Sequence, residues 1–241
     1  MEMAARLQNG ILSPGNFDTG RVRACARYQP STNLGGDFYD LRLLRDGQAS
    51  IFLADAVGHG VSAALLAAMA KMALDEALSD HSTPSTILGA LNHAFQFCSE
   101  HGKYLTAFSG LLDCSSGELV YSLAGHVPPL LYCAKDQGVQ LLDSPGYCLG
   151  IFEEGRYEDR RALLSPGDRL FAFTDGIYDA SPDEKQLYGS RFPGLLVESA
   201  SLTNEDFLDR LDKGLDDFLG GERPADDYTL LSIQCMKESS A

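Results

Sequence analysis

Residues 51–60 read IFLADAVGHG, an apolar run that ends in an aspartate and a glycine-containing turn. Because side chains alternate between the two faces of a strand, Ile51, Leu53 and Asp55 lie on one face, and the carboxylate ends a row of inward-facing apolar side chains. A carboxylate beside a buried strand is costly unless something neutralises its charge. This stretch therefore predicts a strand that delivers Asp55 to a site for a bound cation.

Three further aspartates occupy comparable positions, each where an apolar run meets a glycine-containing turn or the start of a strand. They are Asp37 in LGGDFYD, Asp175 in LFAFTDGIYDA and Asp226 in PADDYTLL. Phe171 and Phe173 are expected to lead to Asp175 by the same alternation. Ligand sets made of oxygen alone favour hard ions such as Mg²⁺ or Mn²⁺. We therefore expect divalent cations, and two ions bridged by carboxylates can activate a water for in-line phosphoryl displacement.

Glycines near these aspartates would let the backbone approach a ligand closely. Gly58 and Gly176 each follow one of the aspartates within three residues, and the pair Gly220-Gly221 precedes Asp226. Taken one at a time, an aspartate before a glycine is most often a turn or cap residue. The inference of a shared site therefore rests on the set of four aspartates rather than on any one of them.

The length of 241 residues and a hydrophobic content of 44% suit one large domain or two small ones. No linker rich in proline and serine divides the chain, so a single domain is favoured. Nineteen basic residues against thirty-four acidic ones give a net charge of −15. This charge opposes binding to a nucleic-acid backbone or an anionic membrane surface, so neither partner is expected.

The six cysteines are scattered without CxxC spacing, which predicts free, mostly packed thiols in a reducing compartment rather than a zinc site. No charged-then-apolar leader opens the sequence, and charged residues interrupt every apolar stretch well before eighteen residues. We therefore expect neither a secretion signal nor a membrane span, and a cytoplasmic protein.

The first half of the chain is expected to begin with a helix over residues 2–12, which carries Met3, Leu7 and Ile11 at helical spacing. Strands follow, and a long helix is expected after Gly60. The strands are expected at about 20–29, 36–45 and 49–56, and the apolar face of the long helix at Val61, Ala64, Leu65, Ala68, Met69, Met72 and Ala73.

The rest of the chain continues with further blocks of helices and strands. A helix begins at Thr83, a cap residue followed by proline, and strands occupy about 104–173. A helical block over about 189–219 contains a second helix start at Thr203, and the last strand runs over 228–235. Strands, two helices, more strands, two helices and a closing strand predict an α+β fold with four layers, in which two packed sheets carry a helix pair outside each.

Six segments in this order resemble a known family. They are LGGDFYD, ADAVGHG, AGHVPPLL, LSPGDRLFAFTDGIYDA, the pair Tyr188-Gly189 and DDYTLL. Together they resemble the metal-dependent type-2C serine/threonine protein phosphatases, and specifically their bacterial SpoIIE/RsbU-like branch. The resemblance runs from about Leu7 to Ile233, nearly the whole chain. It implies an antiparallel β-sandwich flanked by helix pairs, which agrees with the order of the elements.

The resemblance also implies a ligand set for two Mn²⁺ or Mg²⁺ ions. Asp55 would bridge both ions, and the Ala56 carbonyl would bind one of them. Asp37 would complete the shell of that ion, directly or through water, while Asp175 and Asp226 would hold the other. The bridging water would attack phosphorus without a covalent enzyme intermediate, which makes Asp55 and Asp37 the candidate catalytic residues.

Two positions leave alternatives open. The family pattern makes the first acid of the pair Asp226-Asp227 the ligand, but either side chain could reach the ion. In the eukaryotic relatives, a histidine two residues after the bridging aspartate is thought to serve as general acid, and here that position is Val57. His59 lies two residues further on, in the turn with Gly58, where a role in helix entry competes with catalysis. The group that protonates the leaving oxygen is therefore unassigned.

Three further side chains are candidates for supporting roles. His126 in AGHVPP is interpreted as architectural, because it would orient the loop before Pro128. Arg27 and Arg42 flank the first motif and could touch a substrate phosphate, although solvated surface arginines are more common. The sequence has no clear counterpart of the phosphate-binding arginine of the eukaryotic relatives.

The N-terminal segment suggests how activity is controlled. Residues 5–14 resemble the end of the linker helix that, in this branch, joins a sensory or receiver module to the phosphatase. We divide the chain into a linker or regulatory helix at 1–13 and a phosphatase domain at 14–241. Because a helix of about eleven residues is marginal alone, its Leu7 and Ile11 face is expected to pack on the domain, on a second copy in a homodimer, or on both.

The implied reaction is hydrolysis of phosphoserine or phosphothreonine on a small anti-sigma-factor antagonist, within a partner-switching pathway. One alternative is a catalytically dead binding module of the same fold, which loss of an acidic ligand would mark, but all four aspartates are present. Another is a metal-dependent hydrolase acting on a small phosphoester. That class would need a base-reading pocket or a phosphate-cradling loop, and the sequence has no GxxxxGK[ST] loop. Phosphoprotein hydrolysis is therefore favoured.

Overall fold

The computed structural model describes residues 2–12, 15–80, 83–183 and 185–237, and the expected boundary between residues 13 and 14 lies outside them. The helices are α1 (Glu2–Ile11), α2 (Val61–Asp80), α3 (Pro84–Ala94), α4 (Asp175–Tyr178), α5 (Phe192–Glu198) and α6 (Asn204–Leu219). The strands are β1 (Asn16–Asp18), β2 (Val22–Gln29), β3 (Phe38–Leu43), β4 (Gln48–Ala56), β5 (Leu105–Asp113), β6 (Glu118–Ala124), β7 (Leu130–Cys133), β8 (Gly138–Leu141), β9 (Arg160–Leu163), β10 (Arg169–Phe173) and β11 (Tyr228–Cys235).

The strands form two sheets, in each of which neighbouring strands are antiparallel. Sheet I has the order β3-β4-β5-β6-β9, and sheet II has the order β1-β2-β11-β10-β7-β8. Their inner faces enclose one apolar core, to which Ile51 and Leu53 contribute from sheet I and Ala172 and Leu231 from sheet II. Helices α2 and α3 cover sheet I, while α5 and α6 cover sheet II. The predicted four-layer α/β/β/α sandwich is therefore confirmed.

The long helix α2 packs on sheet I through a face different from the expected one. Its fully buried side chains include Ala63, Ala67 and Ala70, whereas Leu65 and Met72 are 61% and 74% exposed. The predicted face is therefore wrong for its outer members. Because α2 is apolar around most of its circumference, spacing does not select the buried side, and close approach to the sheet selects the small residues.

Helices α3 and α6 begin at the predicted caps. The Thr83 hydroxyl accepts a hydrogen bond from the Thr86 amide at 3.4 Å, and the Thr86 hydroxyl accepts one from the Thr83 amide at 3.2 Å. The Thr203 hydroxyl accepts a hydrogen bond from the Asp206 amide at 3.1 Å. These side chains satisfy amides that the first helical turn leaves without partners, which fixes where each helix starts.

The layer outside sheet II is built from aromatic rings. Phe171 and Phe173 of β10 meet Phe192 of α5 and Phe207 of α6, with ring centroids 4.8 to 5.3 Å apart. The buried Arg169 guanidinium lies 4.6 Å from the Phe207 centroid and donates hydrogen bonds to backbone carbonyls that follow α5. Edge-on ring contacts and a buried, hydrogen-bonded arginine hold α5 and α6 firmly on the sheet.

The N-terminal helix α1 lies against α2, but most of its apolar stripe faces outward. Met3 and Leu7 are 71% and 67% exposed, whereas Ile11 is half-buried. Gln8 is buried instead. Of the alternatives for this face, packing on the domain is therefore met at Ile11 but not at Leu7, and packing on a second copy stays a prediction.

Two further features concern the cysteines and the length of the helices. All six cysteines are free thiols. Among the helices of the described residues, none combines the length and the apolar character that crossing a bilayer requires.

Candidate metal centre

Asp55 lies near the end of β4, at one edge of the inter-sheet core. Ile51 and Leu53 are fully buried in that core, and Asp55 is half-buried. The register of the sheet places Asp55 opposite Thr106 of β5. The carboxylate therefore ends an inward-facing apolar row, as the sequence predicts.

Asp37 comes directly before β3 and is 1% exposed. Its Oδ2 accepts hydrogen bonds from the Thr174 hydroxyl at 2.8 Å and from the Thr229 hydroxyl at 2.7 Å. Burial and the charge of Asp55 raise the pKa of Asp37 well above its usual range, while the two hydroxyls act in the opposite direction. Asp37 thus belongs to sheet I in sequence but is oriented by hydroxyls from sheet II.

The electrostatics of Asp55 show that the four aspartates share one region. Burial, together with the charges of Asp175 and Asp226, raises the pKa of Asp55 to about 7. A hydrogen bond with Asp37 lowers this pKa in part. Carboxylates crowded in this way lose their charge by protonation unless a cation neutralises them.

Asp175 reaches this region from a helix rather than from a strand face. It is the first residue of α4, and burial together with nearby carboxylates raises its pKa. The predicted row of Phe171, Phe173 and Asp175 is wrong, because both rings face α5 and α6. The inner face of β10 carries Leu170 and Ala172 instead.

Asp226 and Asp227 are neighbours with opposite environments. Asp226 is exposed in the bend before β11. Asp227 is 4% exposed and accepts hydrogen bonds from the Ser31 amide at 2.6 Å and from the Gly36 amide at 2.7 Å. The Ser31 hydroxyl also donates to Asp227, at 2.9 Å. Because Asp227 is committed to the loop before β3, this arrangement supports Asp226 as the candidate ligand, and it agrees with the charge that Asp226 exerts on Asp55.

Gly36 lies where the Ala56 carbonyl oxygen and the Ala63 methyl group, 3.0 Å from an added Cβ, leave no room for a side chain. A Cβ on Gly36 would lie 2.8 Å from the Ala56 oxygen and 3.5 Å from the Gly58 oxygen. The Ala56 amide donates a hydrogen bond to the Gly36 carbonyl at 3.3 Å. The Ala56 carbonyl therefore lies next to the residue that precedes Asp37. Gly58 has a φ of +93°, a conformation that suits glycine, and turns the chain toward α2.

These donors fit a hard divalent cation. They are carboxylate and carbonyl oxygens, which Mg²⁺ and Mn²⁺ prefer. Burial, together with neighbouring negative charges, raises the pKa of Asp37 and of Asp55, and a bound cation would offset both effects. Within the described part of the chain, no three His, Cys, Asp or Glu side chains are placed so that they could hold a metal ion together.

The two histidines near this region differ in exposure. His59 is exposed in the turn before α2. His126 is 6% exposed, and its Nδ1 lies 2.8 Å from the hydroxyl of Thr106, the residue opposite Asp55. Burial lowers the pKa of His126 to about 4. A neutral, buried ring with this contact supports the architectural interpretation of His126.

The two arginines considered as phosphate contacts are engaged in ion pairs. Arg27 pairs with Asp209, with 2.6 Å between nitrogen and oxygen, and also with Asp212. The Arg42 guanidinium pairs with Asp75, with 2.7 Å between nitrogen and oxygen, and also donates to the carboxylate of the buried Asp40. Neither guanidinium is presented to the region around Asp55 as an unpaired donor.

Two polar residues that the sequence analysis did not single out contact the loops that carry the aspartates. Lys103 Nζ donates a hydrogen bond to the Val57 carbonyl at 3.3 Å. Gln8 Nε2 donates to the Gly35 carbonyl at 2.6 Å, and Gln8 Oε1 accepts from the Gly35 amide at 3.2 Å. No motif marks either residue. The one signal is that a polar Gln8 falls next to the apolar stripe of α1.

Comparison with known protein families now identifies the chain. The profile described as Stage II sporulation protein E (SpoIIE) matches residues 45–236, which is most of the sequence. The chain belongs to the SpoIIE family. The resemblance noted in the sequence is thereby confirmed.

Its curated relatives include proteins named as phosphatases. Phosphoserine phosphatase RsbU of Bacillus subtilis is 27% identical over 239 residues, which cover 97% of this chain and 69% of RsbU. Phosphoserine phosphatase RsbP of the same organism is 28% identical over 185 residues, 74% of this chain and 45% of RsbP. Protein IcfG of Synechocystis is 25% identical, and the match covers 97% of this chain and 41% of IcfG. The chain therefore spans less than half the length of two of these relatives.

Solved structures share the fold. The SiaA-PP2C domain of Pseudomonas aeruginosa superposes with a TM-score of 0.82 at 24% identity, covering 97% of this chain and 94% of that domain. The RsbU and RsbW domains of a Mycobacterium tuberculosis protein superpose with a TM-score of 0.75 at 30% identity, covering 90% of this chain and 60% of that one. This member of the SpoIIE family thus has the PP2C fold, and the prediction of a serine/threonine phosphatase domain is confirmed at the level of the family.

Proposed function

We propose that this SpoIIE-family chain is a metal-dependent cytoplasmic phosphatase that removes the phosphoryl group from a serine or threonine of a partner protein. The observation that carries the proposal is the mutual influence of four carboxylates from separate segments, seen in the pKa of Asp55 raised to about 7. Bound cations are the ordinary way to stabilise such a concentration of negative charge. The relatives named phosphoserine phosphatases support this class of substrate.

The proposed ligand set is the one that the resemblance to the family implies. Asp55 would bridge two Mn²⁺ or Mg²⁺ ions, with the Ala56 carbonyl and Asp37 on one ion and Asp175 and Asp226 on the other. RsbX, a structural neighbour at a TM-score of 0.68, has been solved in complex with magnesium. When bound, divalent cations lower the pKa of water and stabilise charge on phosphoryl oxygens.

Other residues of the chain would hold these ligands in place. The hydroxyls of Thr174 and Thr229 fix one oxygen of Asp37, and Asp227 fixes the amide of Gly36. Each of these bonds joins a segment of sheet II to the loop before β3. The geometry of the centre is therefore set jointly by the two sheets, which gives the preorganisation that catalysis needs.

The openness of the centre favours a protein substrate. Asp226 is exposed, and a cavity of about 450 Å³ with Asp175 and Asp226 in its wall opens beside it. A phosphorylated side chain on a protein surface can enter such a site without being enclosed. We propose a small phosphorylated protein of the anti-sigma-factor antagonist type as the partner, in line with the similarity to RsbU.

The N-terminal helix would connect this centre to control. Gln8 joins α1 to Gly35, two residues before Asp37, while Met3 and Leu7 stay exposed on the outer side. We propose that α1 transmits a signal from an upstream sensory or receiver module, and that its exposed side meets a second copy of the chain.

Phosphate release from phosphorylated antagonist proteins and from a phosphoserine peptide tests the proposed reaction. Turnover is expected with Mn²⁺ or Mg²⁺ and is expected to vanish with a chelator, because every proposed protein ligand is an oxygen. Asp46→Asn, an exposed position between β3 and β4, serves as a control for lost negative charge.

Two results would contradict the proposal in different ways. Full turnover in metal-free buffer would remove the metal-dependent mechanism. Stable binding of the phosphorylated partner in Mn²⁺, without release of phosphate, would instead favour a binding module of the same fold.

A further inference from the structure

Lys103 lies beside the turn that follows Asp55. The Val57 amide donates a hydrogen bond to the carbonyl of Tyr104, the next residue after Lys103, at 3.1 Å. On the other side, the Lys103 amide donates to the Cys98 carbonyl at 3.0 Å. Main-chain hydrogen bonds at Lys103 and at Tyr104 therefore fix the backbone of Lys103 beside this turn.

The ammonium group of Lys103 lies over the turn itself. Nζ donates to the Val57 carbonyl at 3.3 Å, and a Cβ on Gly58 would lie 3.0 Å from Nζ. These residues follow Asp55 by two and three positions. Lys103 is half-buried, so its ammonium lies beside the turn that follows Asp55 and is partly exposed to solvent.

Lys103 forms no ion pair with a carboxylate among the residues that the structure describes. An ammonium has three N–H donors, and the Val57 carbonyl accepts one of them. Arg27 and Arg42, by contrast, are both paired with aspartates. In a chain with 34 acidic and 19 basic residues, Lys103 thus differs from these two arginines in keeping N–H donors for a ligand beside the turn after Asp55.

The charge balance of the centre gives such a cation a role. Two divalent cations would match the four carboxylates, which leaves no positive charge over for a phosphoryl dianion. Phosphate sites in proteins supply that charge through arginine or lysine. We propose that Lys103 contacts the phosphoryl oxygens of the substrate and contributes to binding of the phosphate group. This proposal rests on the proposed function, and it fills the position for which the sequence has no evident arginine.

Arg223 offers a matched comparison. It is exposed on the loop before Asp226 and lines the cavity beside that residue. No hydrogen bond of its side chain to a described residue holds it toward the aspartates, whereas Lys103 is held by the turn. Arg223→Gln therefore removes an exposed cation from the wall of this cavity, and that cation lacks a hydrogen bond like the one that places the Lys103 ammonium.

The test compares Lys103→Gln, Lys103→Arg and Arg223→Gln with the parent chain in saturating Mn²⁺. The measurements are KM and kcat for a phosphoserine peptide, the inhibition constant of inorganic phosphate, and the Mn²⁺ concentration that gives half activity. Lys103→Gln is expected to raise KM and the inhibition constant about tenfold, as for loss of one charge-assisted hydrogen bond. Lys103→Arg should keep both constants near the parent values, and Arg223→Gln should raise them less than Lys103→Gln does.

Several results would overturn the assignment of Lys103. One is an unchanged inhibition constant for phosphate in Lys103→Gln. Another is a shift in half-activating Mn²⁺ as large as the shift in that constant, which would show that Lys103 only supports the turn. A rise in Arg223→Gln without one in Lys103→Gln would move the role to the other cation.

The failure of this proposal can be distinguished from failure of the proposed function. If the folded parent chain shows no turnover with any metal, the proposed function is wrong. Calorimetric titration of the Mn²⁺-loaded chain with inorganic phosphate still tests Lys103 in that case, because weaker binding by Lys103→Gln supports it and equal binding contradicts it.

Discussion

The helix layers outside the two sheets differ in how they are packed. On sheet I, α2 packs mainly through the alanines Ala63, Ala67 and Ala70, with Leu66 and Leu74 on the same buried side. On sheet II, the ring of Phe171 meets those of Phe192 and Phe207 nearly edge-on, at 79° and 80° between planes. Interlocked rings resist displacement because any shift opens voids, whereas a layer of small side chains tolerates one. The contact of α2 with sheet I is therefore expected to tolerate a shift better than the contacts of α5 and α6 with sheet II.

The same division runs through the candidate metal centre. Sheet I supplies Asp37 and Asp55 from its strand ends, and α2 begins six residues after Asp55, at Val61. Sheet II supplies Asp175 and Asp226 from a helix start and a loop. A shift of α2 would move the sheet I ligands relative to the others. We therefore expect the centre to join a rigid half, on the side of sheet II, to a half on the side of sheet I that can shift with α2.

The largest effect is expected for Asp55→Asn, at the junction between the two halves. An amide lacks the charge needed to bridge two cations, so turnover of a phosphoserine peptide in Mn²⁺ should fall about a thousandfold or more. A rate near that of the parent chain would show that Asp55 is not the bridging ligand.

The stability of the same variant provides an independent check. The pKa of Asp55 is raised to about 7 in the folded state, so the favourable contribution of its protonated form is present at low pH and lost as pH rises through about 7. Because an unfolded carboxyl ionises near pH 4, this loss begins well below pH 7. Without metal, Asp55→Asn should therefore unfold at a higher temperature than the parent at pH 8, and by a larger margin than at pH 5. Thermal denaturation at both pH values, in chelator, measures this difference, and a lower melting temperature at pH 8 would contradict it.

The next effect separates two neighbours on the sheet II side. Asp226→Asn should lose most activity and Mn²⁺ affinity while keeping its melting temperature, because Asp226 is exposed. Asp227→Asn should keep the ligand set, with substantial activity, but lower the melting temperature, because Asp227 is buried and accepts bonds from Ser31 and Gly36. Metal titration and thermal denaturation of both variants settle the order. If Asp227→Asn alone loses Mn²⁺ binding, the ligand is displaced by one residue.

The sequence predicts well where local pattern and burial coincide. The alternation through Ile51 and Leu53 places Asp55 because this row of β4 faces the other sheet. The caps at Thr83 and Thr203 are predicted because capping is a local hydrogen-bond problem. Family motifs add the order of the remaining aspartates.

The sequence predicts poorly where the choice depends on tertiary packing. Phe171 and Phe173 alternate as Ile51 and Leu53 do, but β10 is apolar on both faces and its rings turn to the helices. The same ambiguity misassigns the buried side of α2. Lys103 and Gln8 act through partners 46 and 27 residues away, and no local pattern encodes such contacts.

A moderate effect is expected from pH. Metal binding requires ionised carboxylates, and burial with neighbouring charges raises the pKa of Asp55 to about 7. Protons should therefore compete with Mn²⁺ below that pH. The Mn²⁺ concentration for half activity should rise by up to about tenfold per pH unit between pH 7 and 6, and flatten above pH 8. A constant value from pH 6 to 8 would show that Asp55 does not gate the metal. Because the second pKa of phosphoserine is about 6, calorimetric titration with Mn²⁺ in the absence of substrate separates ionisation of the site from ionisation of the peptide.

The smallest effect is expected at α1, which contacts the movable half. Met3→Asp plus Leu7→Asp changes side chains that are 71% and 67% exposed, so the fold should be retained. If this surface meets a second copy, sedimentation mass should fall, and activity should change by about fivefold or less, the lower range of coupling between sites. Arg6→Gln, exposed on the same helix, is the matched control.

Gln8→Leu addresses the inner side of α1. It removes both hydrogen bonds to Gly35 and leaves the outward face intact, so it should shift half-activating Mn²⁺ without changing sedimentation mass. Coupling of this kind requires contacts that differ between two states, and Gln8 is the described side chain of α1 that reaches the loop of Asp37. If the outer variant changes mass alone and Gln8→Leu changes Mn²⁺ dependence alone, then assembly and metal affinity are separate properties of α1. If neither variant changes any measurement, α1 does not control the centre, and the soft packing of α2 has no regulatory consequence.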